Sequence, residues 1–188
     1  MSSESTSSTS SLRLAWNRCW REAGGRTPPE PVFEELRSRY LEAGRHYHTL
    51  QHLQECLAWW ETTRATANSP EAVELALWFH DAIYDPQRAD NEVWSAALAR
   101  DHLQAASVSS SLIEPIEALI LATRHIHAPS HPDEQLLIDI DLAILGAGPQ
   151  RYAEYERQIR AEYAFVPEKV FCEKRQEILQ RFLDRPVI

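Results

Sequence analysis

The chain has 188 residues, 44% of them hydrophobic and 25% charged. That is enough for one domain with a sizeable core and too little for two ordinary ones. A formal net charge of -9 disfavours a long DNA or RNA partner, whose phosphates an acidic surface repels, but leaves a small phosphorylated substrate open.

Glycine is scarce, at five residues, while Ala, Leu, Glu, Gln and Arg are frequent, which favours helices over turn-rich β structure. Residues 1–11 are rich in Ser and Thr, with no basic and no apolar stretch. They read as a disordered tail and not as a signal peptide. A first amphipathic helix is predicted over 12–23, with Leu12, Ala15, Trp16 and Cys19 on one face and Gly24-Gly25 as its stop. Pro28-Pro29-Glu30-Pro31 opens a second, running to residue 43 before Gly44. A third is predicted over 47–65, where Leu50, Leu53, Leu57 and Trp60 keep helical spacing.

Asn68-Ser69-Pro70-Glu71 reads as an N-cap followed by Pro at the first helical position. That fourth helix carries Phe79-His80-Asp81 at its far end and breaks near Asp85-Pro86. Further helices are predicted over 89–106, 109–126 and 134–145, then from Pro149 to 165 and from Pro167 to 184. No alternation is long enough for a strand, and there is no internal repeat. The expectation is all-α, with residues 12–188 forming a single compact multi-helix domain.

Cys19, Cys56 and Cys172 are far apart and odd in number, with no CxxC pair. They read as reduced and mostly buried, hence cytoplasmic. No apolar run is long enough to span a membrane.

The chemistry gathers in three distant segments. His80-Asp81 ends the apolar run that starts at Val73. His48 and His52 stand four apart, which on one helix puts both on a single face, one as ligand and the other as acid/base or substrate contact. Asp139 and Asp141 flank Ile140. Two helical residues two apart cannot both face the core, and an inward carboxylate needs a cation or strong donors. Asp141 is the expected inward one, with Asp139 in reserve. Adjacent helical residues diverge by about 100°, so His80 and Asp81 can share an ion only near a helix end. Two imidazoles and two carboxylates from three segments are the ligand set of a hydrolytic metal site.

The order His52, His80-Asp81, Asp141 resembles the HD superfamily of metal-dependent phosphohydrolases. Tyr47-His48-Thr49-Leu50-Gln51-His52 is similar to the histidine segment of the distantly related cyclic-nucleotide phosphodiesterases. The rest of the phosphodiesterase pattern is not visible. The chain most resembles small bacterial proteins described only as HD phosphohydrolases. That likeness rests on Arg45-His46-Tyr47-His48, the stretch Trp78-Phe79-His80-Asp81-Ala82-Ile83-Tyr84-Asp85-Pro86, and Asn91-Glu92 with Ser95-Ala96. It continues through Asp139-Ile140-Asp141-Leu142-Ala143-Ile144-Leu145-Gly146 and Ile159-Arg160-Ala161-Glu162-Tyr163.

The resemblance implies an all-α HD fold, His52, His80, Asp81 and Asp141 as metal ligands, and His48 as proton donor. Mixed N/O ligation without thiolate suits Mn, Fe, Co, Ni or Mg, with Zn also accommodated. Hydrolysis of small phosphate esters, nucleotides among them, is the expected activity, and a non-catalytic nucleotide- or metal-binding regulatory module is the alternative. Glu92 is a candidate to orient the water. Arg45, Arg124 and Arg160, with Arg175, are candidate phosphate contacts. Tyr84 and Tyr163, with Trp78, could stack a base, although Trp78 lies in the apolar run and reads first as core. His125 and His127, with His131, are read as a polar rim or as ligands of a second metal.

Overall fold

A computed structural model describes residues 2–24 and 29–184, with the backbone alone for 2–8. Met1, Gly25, Pro28 and residues 185–188, which figured in the expected boundaries, lie outside the described residues. Among the described residues there are nine α-helices and no strand, so the all-α expectation holds. They are α1 (Ser2–Glu22), α2 (Glu30–Arg39), α3 (Leu50–Thr63), α4 (Pro70–Phe79), α5 (Asn91–Ala105), α6 (Ser110–Ala122), α7 (Pro132–Asp141), α8 (Pro149–Glu162) and α9 (Glu168–Leu183). Short 3₁₀ turns follow α3 at Arg64–Thr66 and α7 at Leu142–Gly146.

Helix α4 organises the molecule. Every residue from Ala72 to Phe79 is buried, and a helix apolar on all sides belongs at the centre of a bundle. It packs against α1, α3, α5, α6 and α7. Trp16, Trp20, Phe33, Trp60, Trp78 and Phe79 supply much of the surrounding core, with Trp16 edge-on to Trp78 at 5.3 Å. Trp78 is therefore core, not a stacking surface for substrate. The one acid within α4's apolar run, Glu74, accepts from Trp60 Nε1 at 2.8 Å and Arg18 Nη2 at 2.8 Å.

Several boundaries differ from the sequence reading, each for a local reason. Residues 2–11, expected as a disordered tail, form the first half of α1. Leu12, Trp16, Cys19 and Trp20 anchor the second half in the core, and a nucleated helix propagates at little cost even through Ser and Thr. Ser69 makes no side-chain cap for α4. Instead Asp133 of α7 reaches across and accepts the backbone N–H groups of Asn68 at 2.8 Å and Ser69 at 3.0 Å. Helix α3 starts at Leu50, because the Thr49 hydroxyl accepts from Gln51 N–H and caps it there. The preceding His46–Thr49 stretch is loop.

A second, smaller cluster of Tyr47, Ile144, Tyr155 and Ile159 joins that loop to the 3₁₀ turn and α8. His52 links it to the rest, its ring 4.7 Å from that of Tyr47 and 5.3 Å from that of His80. No helix among the described residues is long and apolar enough to cross a membrane.

Candidate metal centre

His80 caps the C-terminus of α4 in helical conformation, with its own N–H bonded to Ala76 O. Its Nδ1 lies 2.9 Å from Leu77 O. A carbonyl only accepts, so Nδ1 carries the proton and Nε2 is left with its lone pair in the neutral ring. That Nε2 lies 3.2 Å from Nε2 of His52, in the first turn of α3. Asp81 Oδ2 sits 3.1 Å from His80 Nε2 and 3.3 Å from His52 Nε2. Asp141 Oδ1, from the last residue of α7, sits 3.2 Å from His52 Nε2 and 3.5 Å from His80 Nε2. The three segments thus bring four ligand-type atoms to one point. His80 and Asp81 meet there because α4 ends at Phe79, immediately before them, as the divergence of adjacent helical residues requires.

These separations suit a divalent ion. Metal–nitrogen and metal–oxygen bonds of about 2.0–2.2 Å put neighbouring ligand atoms about 3.0 Å apart at right angles and about 3.4 Å apart at the tetrahedral angle. A proton on one ring relieves one contact between acceptors, whereas a cation relieves all of them together. The C-terminal ends of α4 and α7 both point their carbonyl dipoles at this region, which favours positive charge. Burial works against the Asp141 carboxylate, yet His125, His52 and His80 hold it well below the ordinary range. Asp81 is likewise low against burial, through His80, His48 and His52. Burial opposes the His80 and His52 imidazoliums too. Asp81 and Tyr40 around His80, and Cys56, Tyr47 and Asp141 around His52, keep both rings well above the usual histidine value. Cation binding would therefore displace protons.

Cys56 belongs to the same cluster. His52, Cys56, His80 and Asp141 each offer an atom within 4.8 Å of the others, so this group could hold a metal ion. The sequence reading left Cys56 as a buried bystander, although it follows His52 by one helical turn.

His48 takes a different position from the one expected. It lies in the loop before α3, not on a helix face shared with His52. Its ring stacks on Tyr84 at 4.0 Å between centroids, and its Nδ1 is 2.7 Å from Glu162 Oε2. Glu162 is the larger surprise. Its Oε1 accepts the backbone N–H groups of His46, Tyr47 and His48 at 2.8, 2.7 and 3.0 Å, and its Oε2 accepts the Tyr84 hydroxyl at 2.8 Å. Burial alone would raise this carboxyl, but the His48 ring and those N–H groups pull it down to about 2. Glu162 lies in the Ile159–Tyr163 stretch that carries the resemblance, but nothing local assigns it this role, because its partners lie more than seventy residues away along the chain.

The arginines divide. Arg45 is buried, and its guanidinium donates to the backbone carbonyls of Asp81, Ala82 (2.9 Å) and His48 (3.3 Å). It ties two site segments together and is not a free phosphate contact. Arg160 is also committed, donating to Tyr163 O and Val166 O beyond the end of α8 while lying over the Phe171 ring. Arg175 pairs with Glu156 and the Tyr155 hydroxyl. Helix ends and loops leave carbonyls that need donors, and Arg45 and Arg160 supply them. Arg124, by contrast, is exposed just past α6.

Tyr84 is occupied by His48 and Glu162, so it is a support for His48, not a stacking face for substrate. Tyr163 ends α8 and packs against Phe165 and Phe171. Glu92, in the first turn of α5, has its carboxyl raised by burial and by Asp81, against the pull of Arg124 and His125.

His125 adopts φ +53° and places Nε2 3.4 Å from Asp141 Oδ2, the oxygen turned away from His52. His127 is exposed and lines a separate cavity with Arg124 and Glu134. His131 caps α7, its Nδ1 accepting from Asp133 N–H at 3.2 Å, and it is not among the residues that gather around His52 and His80. Asp139 is exposed and outside the cluster.

Compared with known proteins, the chain matches no family model, no curated protein and no solved structure.

Proposed function

We propose that this protein is a metal-dependent hydrolase of small phosphate esters, of the HD phosphohydrolase kind that its sequence resembles. The observation that carries the reading is the meeting of two imidazole Nε2 atoms and two carboxylate oxygens at 3.1–3.5 Å, beside a histidine anchored by a buried carboxylate. His52, His80, Asp81 and Asp141 would hold the cation, and the N/O part of the set suits Mn, Fe, Co, Ni or Mg, with Zn also accommodated. When bound, such a cation activates water and withdraws charge from a phosphoryl oxygen.

The chain's own residues supply the rest. Glu162 accepts from His48 Nδ1–H and leaves Nε2 as the atom that exchanges protons. As an imidazolium, His48 protonates the departing alkoxide at Nε2, and as the neutral ring it receives a proton back. Tyr84 keeps the ring in plane by stacking. Glu92, with its raised carboxyl, is placed to hold a proton beside Asp81. Arg124 is the exposed cation for the substrate's remaining phosphate charge.

The test is turnover of a panel of phosphomonoesters and phosphodiesters by protein stripped of metal and reloaded with Mn, Co, Ni or Zn. Metal-dependent release of phosphate or alcohol supports the reading. Metal uptake with no turnover across the panel leaves a binding module in its place, and absence of metal uptake removes the centre altogether.

A further inference from the structure

We propose that His125 is a positioning residue of this centre: it holds the outer oxygen of Asp141 and so fixes the direction in which the inner oxygen faces the cation. The inference deepens the metal reading above and rests on it.

The backbone gives the first sign. Helix α6 ends at Ala122, and His125 follows with φ +53°, its N–H bonded to Ala122 O at 3.1 Å. Glycine or asparagine is the ordinary occupant of a left-handed residue just past a helix end. A ring-bearing side chain there is strained, and such strain persists only where surrounding contacts hold it. Two contacts do so. The Phe182 ring of α9 stands edge-on to the imidazole, 5.5 Å away between centroids. The imidazole Nε2 lies 3.4 Å from Asp141 Oδ2.

The two oxygens of Asp141 are thereby divided. Oδ1 faces the Nε2 atoms of His52 and His80 at 3.2 and 3.5 Å, and Oδ2 faces His125. A carboxylate only accepts, so in the neutral ring Nε2 of His125 carries the proton and has no lone pair for an ion. Burial opposes the Asp141 carboxylate, and His125 leads the partners that hold it low. Ligating carboxylates ordinarily have an outer partner of this kind, which sets their direction. The neighbouring histidines do not share the role. His127 is exposed on a separate cavity, and His131 caps α7.

The experiment is Zn2+ titration of the metal-free, full-length protein against a fluorescent chelator, which reads stoichiometry and affinity together. The wild type should bind one equivalent. His125→Asn tolerates the left-handed backbone, but its amide nitrogen falls short, near the place of Nδ1. Its Zn2+ affinity should drop about 10–100-fold. His125→Gln carries an amide N–H near the place of Nε2 and should recover most of that loss, which a purely packing role does not predict. His127→Asn should match the wild type. Circular dichroism of the metal-free variants establishes that they fold. Unchanged affinity in His125→Asn, or a loss that His125→Gln does not recover, overturns the positioning role while the centre stands. Two equivalents in the wild type and one in His125→Asn would overturn it too, by making His125 the ligand of a second ion. No Zn2+ binding by the wild type overturns the centre itself.

Discussion

At the N-terminal end of α4, buried charge is met by the protein's own donors. Asp133 accepts two backbone N–H groups, and one turn further in Glu74 accepts from Trp60 and Arg18. At the C-terminal end of the same helix the balance reverses. Two imidazole nitrogens and two carboxylate oxygens face one another, and the nearby guanidinium of Arg45 is spent on backbone carbonyls. A buried acid is a structural feature where the fold supplies its donor. Where two imidazoles and two carboxylates crowd together with no donors beyond the ring protons, a cation from outside could displace those protons and complete the set.

The sharpest way to break this contrast is Asp81→Ala. It should abolish metal uptake and reduce phosphoester turnover to background while far-ultraviolet circular dichroism is unchanged. Full metal content and full turnover in that variant would remove Asp81 from the centre. Next comes His48→Ala, which should retain the metal by elemental analysis and slow turnover by about 10²–10⁴-fold on alkyl phosphates. The loss should be much smaller on nitrophenyl esters, whose leaving group needs no acid. Equal losses on both would take the proton from His48 and assign the ring a purely packing role.

At the other end of α4, Glu74→Ala leaves the Trp60 indole N–H and Arg18 without their buried acceptor. It should cost about 3 kcal/mol in chemical denaturation, with the metal centre still loading. Little loss there would show that water or a neighbour replaces the carboxylate, and that the two ends differ less than described.

Acid titration probes Glu162. Its folded-state value of about 2 lies below the ordinary 4.5. The stabilisation is therefore complete above about pH 4.5 and lost as pH falls from there through 2, for roughly 3 kcal/mol in all. Melting temperature measured over that window should drop more steeply for the wild type than for Glu162→Gln. Parallel slopes would mean the carboxylate is not held low by His48 and the loop. The smallest effect is expected for Asp133→Ala. Losing an acceptor for two N–H groups at the start of α4 should lower stability by about 1–2 kcal/mol, without altering metal content or rate.

Much of this organisation was readable in advance. Proline at the starts of α4 and α8 and before α9 announced those helices, and the unbroken apolar run from Val73 marked α4 as central. Helical period allowed only one of Asp139 and Asp141 to turn inward, and the apolar Leu142, Ala143 and Leu145 that follow favoured Asp141. What escaped was of another kind. Arg45 looks like a phosphate ligand until the carbonyls of Asp81 and Ala82 are seen to need it. His48 looks helical until Thr49 is seen to cap α3 behind it. Glu162 sits in a stretch that carries the resemblance, yet its role has no local signature, since its partners are His48 and Tyr84, 114 and 78 residues away.

The amino-acid order alone marked most of the helices, the buried identity of α4 and the candidate ligands His52, His80, Asp81 and Asp141, because hydrophobic period, proline and ligand chemistry are local properties. Only the tertiary structure decided which groups are spoken for. Whether an arginine, a cysteine or a glutamate is free depends on which backbone carbonyls and N–H groups the packing of distant segments leaves unsatisfied beside it.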